Sequence, residues 1–221
     1  MRSHLNILLV AALLASASVA NANLLLNGSF ESGSFVPPSN QTMTLSPGSS
    51  SLSGWQIVND SLAWIGVGDP WGLDAQEGNL FLDLSDYSAG APFGGVQQTI
   101  ATTKGFEYTV TFYLGSSNTW GRPSSLNVSA AGQSASYTGP LVGGTNDWEQ
   151  FSFVFVATDA EATIKFVGTS GVNYIGLDNV SASITAVPEP TSYALALIGL
   201  ATIGTLQLKN KPRLQRLVRA A

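Results

Sequence analysis

The body of the chain alternates apolar and polar side chains with a period of two, which is typical of β-strands that have one buried face. The clearest case is the segment 106–114, where aromatic and aliphatic residues occupy every even position. Similar runs predict strands at Leu24–Leu26, Gly54–Val58, Ala63–Val67, Leu80–Leu84, Gly95–Ile100, Leu126–Ala130, Gln133–Tyr137, Phe151–Phe155, Ile164–Phe166 and Tyr174–Ile184. No segment of the body has a helical period.

Turn-rich spacers separate these runs, at 32–53, 68–78 and 116–125. Ala131-Gly132 is a connection short enough for a tight hairpin. Many short strands at this spacing predict an all-β fold, a single jelly-roll β-sandwich.

Both ends of the chain differ from the body. A basic start, an apolar run Leu5–Val19 and the A-x-A site Ala20–Ala22 predict a signal peptide at 1–22, cleaved before Asn23. Near the other end, Thr191–Leu208 carries no charge and would form roughly 27 Å of helix, enough to span a bilayer core. Five cations within 209–221 predict a cytoplasmic tail, and the β-sandwich domain is expected at 23–186, outside the cytoplasm. The alternative is a buried core helix followed by a solvated basic end.

The segment 187–221 combines three parts in a fixed order: Val187-Pro188-Glu189-Pro190, the apolar run 191–208 and the basic tail 209–221. This order resembles the PEP-CTERM sorting signal of exported bacterial proteins. The resemblance implies cleavage near the motif by an exosortase-type membrane protease. The protein would be anchored briefly in the inner membrane and then released to the cell surface or an extracellular matrix.

Composition excludes several functions. The segment 23–186 has three Lys or Arg against thirteen Asp or Glu, a net charge of −10, which disfavours nucleic acid, anionic lipid and strongly anionic polysaccharide and suits cations. The sole histidine is His4, and there is no cysteine. A Ser-His-Asp triad, a thiol nucleophile and a Cys/His zinc site are therefore excluded. Hydrolysis by a pair of carboxylates stays open.

Six short segments resemble, in order, the galactose-binding-like β-sandwiches that include carbohydrate-binding modules. They are Asn23–Glu31, Gly54-Trp55, Gln76–Leu82, Gln97–Phe112, Trp148–Phe151 and Gly176–Val180. The resemblance implies a structural Ca²⁺ ion between the first and last strands. Glu31 and Asp178 would supply carboxylates, and carbonyls near Asn27, Ser29 and Gln56 would complete the shell. The alternative assigns Glu31 to a solvated loop and Asp178 to a turn cap.

We expect a sugar site to present aromatic faces for stacking and a few polar groups for hydroxyls. The loop candidates are Trp71 and, in the next long loop, Trp120 with Asn118 and Arg122; packing within the loops is the alternative. Tyr87 and Phe93 lie in a third loop. We expect Trp55, Trp64 and Trp148 to be core or sheet cover, and we expect Asp69, Asp74, Asp83 and Asp86 to be surface charge.

These observations favour a non-catalytic carbohydrate-binding protein, associated with extracellular polysaccharide. One alternative is a structural matrix or surface protein without a specific ligand. Another, less favoured because no acid pair has a motif around it, is a glycoside hydrolase or lyase.

Overall fold

The computed structural model describes residues 22–70, 72–87, 90–117, 123–139, 148–171 and 174–185, and these form two antiparallel sheets without a helix. The predicted signal peptide, sorting motif, membrane helix and basic tail lie outside these residues. No helix within the described residues could cross a membrane. The strands are β1 Thr42–Leu45, β2 Gln56–Val58, β3 Leu62–Gly66, β4 Leu80–Asp83, β5 Gly95–Ala101, β6 Glu107–Gly115, β7 Ser125–Ala130, β8 Gln133–Thr138, β9 Trp148–Val156, β10 Glu161–Ser170 and β11 Gly176–Ile184.

The two sheets pack face to face as a sandwich. One has six strands in the order β1-β3-β4-β11-β6-β9, and the other has five in the order β2-β5-β10-β7-β8. Their inner faces meet through aromatic side chains: Phe112 of β6 and Phe166 of β10 have ring centroids 5.2 Å apart, and both are fully buried. Burial of one such side chain stabilises the fold by roughly 1.5–3 kcal/mol. The predicted all-β sandwich is therefore confirmed.

The period-two pattern located most strands correctly but failed at three places. Leu24–Leu26 forms no strand, although the Leu24 N–H donates to the Ala182 carbonyl (2.8 Å). Strand β1 lies inside the predicted spacer 32–53, where serine, proline and glycine hide its short apolar pattern. Phe106 does not continue the buried face of β6, because it precedes the strand and is 49% exposed.

The predicted hairpin between β7 and β8 is confirmed. Ala130 pairs with Gln133, so that Ala131 and Gly132 are the two turn residues. Both have positive φ angles, 48° and 76°. A two-residue type I′ turn requires this backbone, which suits glycine and whose twist matches that of the strands.

Side chains close the sandwich where β8 and β9 form the edges of the two sheets. The Gln133 amide donates to the Val156 carbonyl (2.9 Å) and accepts the Val156 N–H (3.3 Å). The Tyr137 hydroxyl donates to the Ser152 carbonyl (2.8 Å). Gln133 thus occupies backbone groups of an edge strand that would otherwise be open to pairing with another chain.

A second, smaller apolar cluster covers part of the outer face of the six-stranded sheet. Trp148 of β9 packs edge-on against Phe81 of β4, with centroids 5.6 Å apart. Its indole N–H donates to the Asp74 carbonyl (2.8 Å), which holds the loop between β3 and β4 across the sheet. Trp148 is therefore sheet cover, as expected, whereas Trp55 and Trp64 lie in the main core.

Candidate functional site

Asp178 of β11 anchors the loop between β3 and β4 through backbone hydrogen bonds. Its Oδ2 accepts the N–H groups of Gln76 (2.8 Å) and Glu77 (3.0 Å). Its Oδ1 accepts the N–H of Asn179 (2.7 Å). The residue is fully buried. One carboxylate therefore fixes the position of a loop about a hundred residues earlier in the chain.

Glu31 binds the same loop from the other end of the domain sequence. Its Oε1 accepts the N–H groups of Asn79 (2.8 Å) and Leu80 (2.6 Å). Between the two anchoring points lies Gly78, with a φ of 70°. A Cβ atom there would lie 2.5 Å from Glu31 Oε1. The positive φ and the close approach of the carboxylate both favour glycine.

An irregularity in β11 allows consecutive residues to reach this loop. The pairing of β11 with β6 shifts register between Asp178 and Ser181. Within the shift, Asn179 has a φ of 47°, and its side-chain amide donates to Gln76 Oε1 (2.8 Å). A bulge of this kind re-aims side chains at the rim of a sheet.

Burial raises the pKa of Asp178 to about 7. The main cause is desolvation; the negative charge of Glu31 also raises the value, and the backbone hydrogen bonds oppose it. At neutral pH a substantial fraction of this carboxyl is therefore protonated. A cation beside Glu31 and Asp178 would favour the ionised form.

The oxygen atoms near these carboxylates match a calcium shell only in part. Glu31 and Asp178 supply two anionic groups, and no described residues form a group of three or more acidic, His or Cys ligands. The Asn27 carbonyl already accepts the Trp55 indole N–H (2.9 Å) and the Phe30 N–H (3.1 Å). Gln56 belongs to the other sheet. Any further ligands would have to be other main-chain carbonyls and water.

Asp83 is not surface charge, contrary to the sequence prediction, because it is fully buried at the end of β4. Its Oδ1 accepts the N–H groups of Ile175 (2.8 Å) and Ser85 (2.9 Å), and the Ser85 hydroxyl (2.8 Å). Its Oδ2 accepts the Ser85 hydroxyl (3.0 Å) and the Tyr87 N–H (3.3 Å). Desolvation raises the pKa of this carboxyl to about 6. The residue joins the loop after β4 to the start of β11.

Two tyrosines extend the network around Asp83. The Tyr174 hydroxyl donates to Asp69 Oδ1 (3.1 Å), and the Tyr87 hydroxyl is 2.6 Å from Thr42 Oγ1. Burial raises the pKa of both hydroxyls, so they remain protonated at physiological pH. All these contacts join one part of the domain to another, and they assign the cluster a structural role.

The predicted aromatic ligand residues cannot be placed. Trp71, Trp120, Asn118 and Arg122 lie outside the described residues, as do Val187, Pro188, Glu189 and Pro190. The ends of the loop that carries Trp120 are described: the Ser116 and Ser124 hydroxyls are buried and 2.9 Å apart. Phe93, in the third candidate loop, belongs to the main core and is not a surface contact.

The outer face of the five-stranded sheet is a feature that the sequence analysis did not identify. We call it the polar face. It is formed by twelve polar outward side chains of β2, β5, β10, β7 and β8: Gln56, Gln97, Thr99, Glu161, Thr163, Lys165, Ser125, Asn127, Ser129, Ser134, Ser136 and Thr138. Val58, Ala101 and Val167 are apolar residues on the same side of the sheet. These residues alternate with core residues along each strand. Hydroxyl and amide groups dominate the face, and aromatic rings are absent from these twelve positions.

Cross-strand hydrogen bonds order the polar face. Thr99 and Thr163 join their hydroxyls at 2.8 Å, and Gln97 donates to Gln56 at 3.0 Å. Ser125 and Thr138 are joined in the same way at 3.0 Å. The signal was present in the sequence, as alternating polar residues at 97 and 99 of β5, at 125, 127 and 129 of β7, and at 161, 163 and 165 of β10. This pattern alone does not indicate a binding site, because any solvated face of a sheet has it.

Two solved structures with a similar fold bear names that mention sugar or carbohydrate binding. A putative sugar binding protein from Bacteroides thetaiotaomicron superposes with a TM-score of 0.51 at 12% identity, covering 74% of this chain and 100% of its own. A family 35 carbohydrate binding module from Clostridium thermocellum gives a TM-score of 0.42 at 10% identity, covering 63% and 97%. At 12% identity the likeness to the first of these proteins concerns the fold alone.

Among curated proteins, Halomucin of Haloquadratum walsbyi is 27% identical over 186 residues, which cover 82% of this chain. The chain spans only 2% of the length of that protein. A family model described as "Protein of unknown function (DUF642)" matches residues 23–178, which include every described strand except the end of β11. The match covers well over half of the chain, and this protein therefore belongs to the DUF642 family.

Proposed function

We propose that this protein binds carbohydrate without catalysis, through hydrogen bonds to the polar face of its five-stranded sheet rather than through the loop aromatic rings expected from the sequence. The observation that carries the proposal is the array of ordered hydroxyl and amide groups across five strands. Such groups both donate and accept hydrogen bonds, as sugar hydroxyls do. Because neighbouring strands lie about 4.8 Å apart, the groups repeat over a surface rather than at one point.

The proposal has a direct test in paired threonine variants. Thr99→Val with Thr163→Val removes one hydroxyl pair from the polar face. Thr109→Val with Thr185→Val removes a comparable pair, 2.8 Å apart, from the other sheet. Loss of hydrogen bonds to a bound sugar should weaken binding by about 10-fold in the first variant only.

Binding is measured by calorimetry against polysaccharides found positive for wild type on a glycan array. Equal binding by both double variants would exclude the polar face as the site. In that case Trp71→Ala and Trp120→Ala test the loop site predicted from the sequence. If wild type binds no glycan, the structural matrix protein without a ligand is the better explanation.

The same samples distinguish binding from hydrolysis or elimination. We propose no catalytic residue, and we expect no new reducing ends or unsaturated products after prolonged incubation with each bound glycan. Appearance of either product would favour the glycoside hydrolase or lyase.

We further propose that Glu31 and Asp178 hold a structural Ca²⁺ ion. The two carboxylates bind the same loop, and the negative charge of Glu31 contributes to the raised pKa of Asp178, a repulsion that a cation would relieve. A ligand at about one hundred times its dissociation constant stabilises the native state by about 2.7 kcal/mol. The expected rise in melting temperature is roughly 5–10 °C for a domain of this size.

Glu31→Gln separates calcium binding from loop anchoring. Its amide oxygen can still accept the N–H groups of Asn79 and Leu80, but the charge is lost. We expect the melting temperature of this variant to be insensitive to calcium and close to that of the chelated wild type. A wild-type melting temperature that is the same in calcium and in chelator would refute the calcium site.

Finally, we propose that the protein is exported and processed at the segment 187–190 by an exosortase-type protease. The order of motif, apolar run and basic tail supports this proposal. Mass spectrometry of the surface fraction of the native host should find no peptides from 209–221 in the mature protein. Recovery of intact tail peptides from the mature protein would refute the processing.

A further inference from the structure

A single lysine occupies the middle of the polar face. Lys165 of β10 lies opposite Gln97 of β5 on one side and Ser129 of β7 on the other. Its side chain is partly buried. Among the described residues no carboxylate forms an ion pair with it. The cross-strand neighbours of this lysine on the face are thus the neutral side chains of Gln97 and Ser129.

The position of Lys165 contrasts with the charge of the domain. The segment 23–186 has a net charge of −10, and Lys104 and Lys165 are its only cations within the described residues. Lys104 is exposed in the turn before β6. In a domain so rich in acids, a central cation without an acidic partner is available to an anionic ligand.

The acids at one end of the face do not cancel this charge. Glu161 lies on the same side of β10, four residues from Lys165, or about 13 Å along the strand. Asp159 lies in the turn just before β10. Over such a distance between solvent-exposed groups, salt at physiological ionic strength screens most of the interaction. An anion at Lys165 therefore experiences mainly the nearby ammonium.

We propose that Lys165 makes the polar face selective for an acidic polysaccharide, by binding the carboxylate of a uronic acid residue. This inference rests on the proposed carbohydrate binding at the same face. The ammonium would bind the carboxylate, while Gln97, Ser129 and their neighbours bind hydroxyls of the same and adjacent sugars. The local charge of the face thus overrides the repulsion that the net charge of the domain predicts.

The test compares acidic polysaccharides with their own carboxyl-reduced forms. Polyglucuronate, polymannuronate and polygalacturonate are titrated into the wild-type domain before and after reduction of the carboxyl groups to alcohols. Chelator is present, so that calcium cannot bridge the anions. Wild type should bind at least one acidic form about 10-fold more tightly than its reduced form, as expected for one charge-assisted hydrogen bond.

Three variants identify the group responsible. Lys165→Gln should remove the preference for the acidic form, and Lys165→Arg should keep most of it. Lys104→Gln changes the net charge by the same amount outside the polar face, and it should bind like wild type. A thermal melt of each variant confirms that the fold is intact.

The outcomes separate the two proposals. Equal binding of acidic and reduced forms, or an acidic preference that survives in Lys165→Gln, would overturn the role of Lys165 but leave carbohydrate binding in place. Equal loss in Lys104→Gln would show a general charge effect and would also overturn it. If no acidic or reduced polysaccharide binds, and the glycan array is also negative, carbohydrate binding itself is refuted.

Discussion

The buried carboxyl of Asp83 should make the domain more stable in mild acid than at neutral pH. In the Asp83→Asn variant, the amide oxygen can take the place of Oδ1 and accept the N–H groups of Ile175 and Ser85. The amide nitrogen then lies at Oδ2 and donates to the Ser85 hydroxyl. Only the long contact with the Tyr87 N–H (3.3 Å) is lost. The variant therefore imitates the protonated acid.

The direction of this pH dependence follows from proton binding in the folded and unfolded states. The pKa of Asp83 is about 6 in the folded state, against its ordinary value of 3.8. Between these values the folded state keeps a proton that the unfolded state has lost, so the free energy of unfolding falls as pH rises. Above the folded-state pKa, the free energy of unfolding is lower by about 3 kcal/mol than in acid. Acidification from about pH 7.5 to about pH 4.5 restores about 2 kcal/mol of this stability.

Asp83→Asn avoids this loss but gives up one weak hydrogen bond, about 1 kcal/mol. Near pH 7.5 the variant should therefore be more stable than wild type by about 2 kcal/mol, or roughly 4–8 °C in melting temperature. Near pH 4.5 the two proteins should converge.

Urea unfolding of wild type and variant across this range, in chelator, measures the difference directly. Glu149→Gln, an exposed position on β9, is the control that removes an acid without burial. If Asp83→Asn is less stable than wild type at every pH, or if the difference between them does not change with pH, the assigned desolvation is wrong.

Three further predictions concern packing and the sheet edge. Gly28→Ala would place a Cβ atom 1.9 Å from the Val180 carbonyl oxygen. We therefore expect the free energy of unfolding in urea to fall by at least 3 kcal/mol, or the protein not to fold. Wild-type stability would contradict the position of the chain before β1. Gly78→Ala should lower the free energy of unfolding more than Gly132→Ala does, because both glycines have positive φ but only Gly78 approaches a carboxylate. Equal losses of stability would contradict this reasoning. Gln133→Ala should expose the backbone of Val156 on the β9 edge and cause concentration-dependent association in light scattering, whereas Gln150→Ala on the same strand should scatter like wild type.

The candidate site could be predicted only in part. The opening and closing segments of the domain resemble those of known β-sandwiches, and this singled out Glu31 and Asp178, which the structure brings to one loop. The resemblance did not show that backbone N–H groups of 76–80 are their partners, because every residue except proline has such a group, whatever its side chain. Asp83 was misassigned for a related reason: an acid between Leu82 and Leu84 occupies the polar position of a strand, whether that side faces water or a covering loop.

The sequence by itself determined that this domain is an all-β sandwich, because the side-chain period of a strand is two and the burial of one face makes it visible. It also determined the turn at 131–132, whose backbone favours glycine, and the absence of histidine and cysteine chemistry. Tertiary structure alone decided the order of the strands and therefore which polar residues share a face. Thr99 and Thr163 lie 64 residues apart in sequence but join their hydroxyls at 2.8 Å, because β5 pairs with β10. Strand pairing is made by backbone groups common to all residues, and only the packed core selects among the pairings available to them.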